Sequence, residues 1–226
     1  MKCTIKIYFW LLTIAITIVA CQPNNDPKTF EVSGTFTNTV SKKIFLAELP
    51  FGSSKRTIVD TAAIDAKGNF ALKTISKGEG IYQLFIENGP GVMLINDADK
   101  IEVRADAKNF AGYTTSGSKV NEDMKAMFKA FTQADSIYRT KKIWADSLQK
   151  SQAKDSVLQA VKTSTDASLA SIKKILNEFV AAQPNGTAVY FATRMARQFN
   201  NQTEWDTILQ TALKRFPNHP GLQYLL

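Results

Sequence analysis

Side chains able to do chemistry are scarce in this sequence, and the scarcity narrows its function. Two cysteines, Cys3 and Cys21, and one histidine, His219, stand among 226 residues. They cannot build a Cys/His zinc cage, a multi-disulfide scaffold or a histidine-based triad. Asp60, Asp65, Asp97 and Asp99 are the remaining material for hydrolysis, which would need two carboxylates in one pocket with sharply different environments. Asp97 and Asp99 have the Asp-x-Asp spacing of a calcium loop, but Glu102 stands where such a loop needs glycine and Lys108 where it needs its last ligand. That segment therefore reads as a turn. Gly78-Glu79-Gly80 and Gly89-Pro90-Gly91 lead neither to a third glycine nor to Gly-Lys-Ser/Thr, so they too read as turns rather than phosphate cradles. His219, near the C-terminus in Pro217-Asn218-His219-Pro220, reads as a solvated loop histidine. No catalytic, cofactor-binding or metal-ligating residue is assigned.

Cys21 differs because of what precedes it. Met1, Lys2 and Lys6 form a cationic start, and Ile7 to Ala20 is a run of 14 uncharged residues. The order matches an export signal, and the run is shorter than the roughly 20 apolar residues of a membrane-spanning helix. Ile18-Val19-Ala20-Cys21 resembles the lipobox of bacterial lipoproteins, with Ile18 where leucine is commoner. The resemblance implies that residues 1–20 are a signal peptide and that Cys21 becomes the acylated first residue of the mature chain. The expected location is the cell envelope, on the periplasmic face or at the outer membrane. Mature protein would carry 26 basic and 20 acidic residues, a charge of +6, and no free thiol. Thiol-disulfide exchange by this polypeptide alone is then excluded.

The elements that would position any site divide into two regions. Gln22 to Lys28 carries two prolines among polar residues and reads as a tether over 21–28. From there to residue 117 the pattern is one of short runs with two-residue alternation or β-branched and aromatic content, interrupted by turns every eight to twelve residues. Strands are predicted at 30–37, 43–49, 57–64, 69–74, 80–87, 91–95, 100–105 and 112–115. Asp65-Ala66-Lys67-Gly68 is a hairpin turn in this reading. The fold class is α+β: an N-terminal antiparallel β sandwich or partial barrel over 29–117, then a C-terminal helical domain of about four helices over 118–226. Ser118 is the expected N-cap of a first long helix, whose apolar face includes Val120, Met124, Met127, Phe128, Phe131, Ile137, Tyr138, Trp144 and Leu148. A second helix runs through Val161, Ile172 and Val180 to Pro184. A third uses Val189, Tyr190 and Phe199, and a fourth starts with Thr203 as N-cap and buries Trp205, Ile208 and Leu209.

The order of segments resembles a known family. Phe30-Glu31-Val32-Ser33-Gly34-Thr35, Val59-Asp60-Thr61, Asp65-Ala66-Lys67-Gly68-Asn69-Phe70, Ile81-Tyr82-Gln83-Leu84, Leu94-Ile95-Asn96-Asp97-Ala98-Asp99 and Thr115-Ser116-Gly117-Ser118 are similar to the domain of unknown function 4369. In Bacteroidetes lipoproteins that domain commonly precedes a helical segment and a thioredoxin-fold domain of the TlpA or AhpC/TSA kind. The family's redox activity resides in a Cys-x-x-Cys segment of the thioredoxin fold. The sequence through Leu226 contains no such segment, so no catalytic residue carries over. The resemblance implies a non-catalytic, lipid-anchored module that holds or positions a thioredoxin-type thiol-disulfide reductase system. Its expected partners are a membrane, through the lipid at Cys21, and a thioredoxin-fold domain or another envelope protein. No cofactor and no nucleic acid enters this reading, because the basic residues form no long stripe. A stand-alone envelope lipoprotein binding a peptide, glycan or small apolar ligand is the alternative. It would be favoured if three or more of Tyr82, Phe85, Tyr113, Tyr190 and Trp205 shared an open cleft. The Met and Phe stripe of the first helix (Met124, Met127, Phe128, Phe131) is either a peptide groove or core, and core is the simpler reading.

Overall fold

The computed structural model describes residues 28–53 and 55–226. Cys21, the signal segment and the tether up to residue 27 lie outside the described residues. Strands β1 (Lys28–Thr37), β2 (Lys43–Leu49), β3 (Thr57–Ala63), β4 (Asn69–Ser76), β5 (Ile81–Ile86), β6 (Gly91–Ile95), β7 (Lys100–Asp106) and β8 (Thr114–Ser116) come first. Helices α1 (Lys119–Lys150), α2 (Asp155–Ala182), α3 (Gly186–Ala196), α4 (Gln202–Arg215) and α5 (Pro220–Tyr224) follow. The protein is α+β, with two four-stranded sheets ordered β4-β1-β7-β8 and β3-β2-β5-β6.

Alternation in the strands decides which faces meet. Phe30, Val32 and Phe36 of β1, Leu72 of β4, and Ile101 and Val103 of β7 point into one cluster with Ile44, Leu46, Tyr82, Leu84, Val92 and Leu94 of the second sheet. Burying each such side chain is worth about 1.5–3 kcal/mol, which is what holds the two sheets face to face. β5 is nearly continuously apolar because it is covered on both faces. Tyr82, Leu84 and Ile86 enter the sandwich, while Ile81 joins the helices together with Met93, Leu49 and Phe51. Three layers result: sheet, sheet, helices.

Five strand pairs are antiparallel, whereas β1 and β7 run parallel, with Val32 opposite Ile101 and Gly34 opposite Val103. Local spacing could not show this, because the connection between the two strands is the whole of the second sheet together with β4, and parallel partners need such a long crossover. Gly34 makes the approach possible. Its φ is +145°, and a Cβ there would collide with the Val103 carbonyl oxygen.

Other differences from the sequence reading are local. A 3-10 turn at Ala107–Gly112, capped by the Asp106 carboxylate through the Lys108 N–H at 2.9 Å, occupies part of the segment predicted as the eighth strand, and β8 starts at Thr114. The N-cap of α4 is Asn201, not Thr203. Its side chain accepts from the Glu204 N–H at 3.0 Å while the Glu204 carboxylate accepts from the Asn201 N–H at 3.0 Å. Asn followed three residues later by Glu makes the stronger capping box. Pro220 opens a fifth helix instead of only ending the fourth, since a proline at the first helical position sacrifices no hydrogen bond.

Gly34→Ala is expected to lower stability in urea by at least about 2 kcal/mol, through backbone strain and collision. Gly78→Ala, where a Cβ meets nothing within 4 Å, should stay within about 0.5 kcal/mol of the parent.

Candidate functional site

The best-ordered polar cluster joins the second sheet to the first helix. Asn121 is 2% exposed and lies two residues into α1. Its side-chain oxygen accepts from the Ile95 N–H at 2.8 Å, and its amide donates to the Ile95 carbonyl at 2.8 Å. The helix thus completes the hydrogen bonding of an edge strand. Ser118, the N-cap of α1, accepts from the Asn121 N–H at 3.0 Å and from its side-chain amide at 2.7 Å, and donates to the Asp97 carboxylate at 2.5 Å. Gly117, at φ +85°, turns the chain into this arrangement. Partial desolvation pushes the Asp97 carboxyl above its ordinary range, against the opposing effect of the Ser118 donation. Ser118 is no nucleophile here, because its lone pairs are engaged by Asn121 and its hydrogen faces a carboxylate rather than an imidazole. Asn121 was missed from sequence, although a polar residue three positions before Met124, on the apolar stripe, is the signal that would have found it.

A second cluster fastens the β2–β3 connection to the helices. His219 is half-buried rather than solvated. Its Nδ1 accepts from the Leu222 N–H at 3.2 Å as the N-cap of α5, and its Nε2 lies 3.0 Å from Thr187 Oγ1. An accepting Nδ1 puts the neutral ring's proton on Nε2, which then donates to Thr187. Phe51 packs edge-on against both Tyr190 and His219, at 5.0 and 5.1 Å between ring centroids. Burial lowers the His219 pKa below its ordinary value, with Glu79 pulling weakly the other way.

The remaining residues singled out from sequence do not converge. Asp60 accepts from the Thr61 and Lys73 N–H groups. Asp65 closes the β3–β4 turn through Lys67 and Asn69, which hold its carboxyl below the usual range. Asp97 serves the joint, and the Asp99 carbonyl accepts from the Glu31 N–H. No two of these four carboxylates share a hydrogen-bond partner among the described residues. Among those residues, too, no three His, Cys, Asp or Glu side chains form a cation cage. Tyr82 is in the sandwich core and Tyr190 and Trp205 are in the helical core. Phe85 stacks on Phe45 beneath Arg56, and Tyr113 stacks on Phe110. The five aromatics therefore share no open cleft. Met124 and Met127 are buried, and Phe128 and Phe131 pair edge-on with Phe191 and Phe199, so that stripe is core. Lys173 and Lys174 are held by Glu204 and Glu178. A groove of about 450 Å³ remains between α1 and α2, with Met127, Ile175 and Phe179 in its lining and Asp123 and Glu178 at its rim.

Residues 30–124 match the family described as Domain of unknown function (DUF4369). The matched segment runs from β1 into α1 and so contains Asp97, Ser118 and Asn121 as one block. No match was found among curated proteins or among solved structures.

Asn121→Ala leaves the Ile95 N–H and carbonyl without partners, and should cost about 2–4 kcal/mol in denaturant unfolding. The single histidine makes proton NMR unambiguous, and its titration midpoint should fall below 6.5. Since the depressed pKa favours the neutral ring, its contribution is present above the unfolded pKa of about 6.5 and is lost as pH falls below it. Melting temperature should therefore drop between pH 7.5 and 5.5 more steeply in the parent than in His219→Asn, which keeps a capping oxygen.

Proposed function

We propose that this protein is a lipid-anchored module of the cell envelope that holds or positions a partner, the best-supported partner being a thioredoxin-type thiol-disulfide reductase domain. The observation that carries this reading is the use made of the polar groups where helices and sheets meet. Asn121, Ser118 and Asp97 bolt helix to sheet, His219 and Thr187 join α5 to α3, and the Tyr190 hydroxyl and the Phe51 ring fasten the β2–β3 connection to them. Chemistry of this kind makes a rigid bracket rather than a reaction centre.

The order of the sequence supports the anchored part of the reading. A cationic start, 14 uncharged residues and Ile18-Val19-Ala20-Cys21 precede the fold. The seven residues from Gln22 to Lys28 span at most about 25 Å when extended, so a lipid at Cys21 would hold the sandwich near the bilayer. Two or more acyl chains, at about 0.8 kcal/mol per buried methylene, give a durable attachment. Among the described residues no helix is long and apolar enough to cross a membrane. The partner half of the reading is supported by the resemblance of the segment order to the lipoproteins in which such a β domain precedes a thioredoxin fold.

Expressed with its own leader in a bacterial host, the protein should incorporate labelled palmitate and partition into a detergent phase, and Cys21→Ser should abolish both. Palmitate retained by Cys21→Ser would sink the anchored reading. Mature Cys21→Ser protein should also fail to reduce insulin disulfides catalytically, and turnover would overturn the positioning role.

A further inference from the structure

α1 is 32 residues long, about 48 Å at 1.5 Å per residue. Its buried residues, Asn121, Met124 and Met127, all lie in its first third. The far end, which among the described residues packs only against the start of α2, leaves Ile143 70%, Trp144 53%, Ile137 53% and Val157 40% exposed. Ile137, Lys141 and Trp144 are spaced i, i+4, i+7 and share a face, as do Val157 and Ser164 on α2. The Lys141 ammonium donates to the Ser164 carbonyl at 3.3 Å, and Ile143 and Lys150, seven residues apart, share the neighbouring face of α1. Between 139 and 154 the chain carries Arg139, Lys141, Lys142, Lys150 and Lys154 against a single anion, Asp146. Arg139 is held by Asp135, and Lys142, Lys150 and Lys154 are exposed and make no ion pair among the described residues.

Exposed isoleucine and tryptophan amid free lysines is the composition of a surface that lies in a lipid interface, with apolar side chains at the headgroup boundary and ammonium groups on phosphates. We propose that the free end of the α1–α2 hairpin docks on an anionic lipid surface. Charge selects this occupant: over residues 135–166 the hairpin end carries Arg139, Lys141, Lys142, Lys150, Lys154 and Lys162 against Asp135, Asp146, Asp155 and Asp166, a net charge of +2 that complements anionic headgroups. The inference rests on the envelope location proposed above but not on acylation, and it would give the protein a second hold on the bilayer.

The test uses residues 28–226, which contain every described element and lack Cys21, sedimented with vesicles of phosphatidylcholine alone or mixed with phosphatidylglycerol. Binding should require phosphatidylglycerol and weaken with salt. Trp205 is buried at 5%, so a blue shift in tryptophan emission and quenching by brominated lipid would report Trp144. Lys150→Gln, seven residues after Ile143 and on the same face of α1, should weaken partitioning about fivefold. Ile143→Asp should weaken it by more than about tenfold with unchanged circular dichroism and melting. Equal binding to both vesicle types, no binding to either, or binding unaffected by Ile143→Asp overturns the proposal. So does self-association on gel filtration that Trp144→Asp abolishes, since a second copy would then cover the patch. Because Cys21 is absent from this protein, failure here leaves the palmitate result standing, and the reverse holds too.

Discussion

One asparagine determines how the two halves of this molecule meet. An edge strand offers unpaired N–H and carbonyl groups, and water or another strand will take them unless something else does. At β6 they are taken by the Asn121 side chain, which engages both main-chain groups of Ile95 from the first turn of α1. Helix and sheet are thus placed by hydrogen-bond geometry and not only by apolar contact, which by itself would tolerate sliding. Ser118 and Asp97 fix the orientation of the amide, and the neighbouring apolar contact of Ile95 with Met124 and Ala188 excludes solvent from it.

From that joint the remaining packing follows. With α1 fixed at the β6 edge, α2 returns along it and delivers α3 to the outer face of the second sheet, where Val189 and Tyr190 cover Ile81, Leu49 and Phe51. The Tyr190 hydroxyl accepts from the Gly52 N–H at 3.3 Å. Arg215 of α4 donates to the Gln183 carbonyl at 2.7 Å, tying the end of α2 to the end of α4. The sandwich and helices therefore share apolar residues across their boundary. The match to the family domain, which runs through the sandwich to Met124, ends inside the helix that carries the joint.

The distribution of polarity separates a fixed base from a free arm. At the joint between sheet and helix the buried Asn121 and Ser118 find partners, and aromatic rings pair in both stacked and edge-on contacts. At the far end of the hairpin Ile137 and Trp144 lie off the stripe that Met127 and Tyr138 continue, and among the described residues only α2 packs beside them, so they stay exposed.

The sequence by itself determined the period of each segment, and with it the strands, the two long helices and the α+β class, because alternation and 3.6-residue spacing are local properties of the chain. Cap positions were partly legible: Ser118 was, while Asn201 and the helix begun by Pro220 were obscured by nearby residues with similar preferences. Tertiary structure alone decided that β1 and β7 are parallel, that His219 is a half-buried cap, that four Asp residues serve separate turns and joints, and that Asn121 spans from helix to sheet. Each depends on which distant segment comes alongside. That is governed by the burial of whole faces and the pairing of main-chain groups across many intervening residues, and one-dimensional spacing holds no record of it.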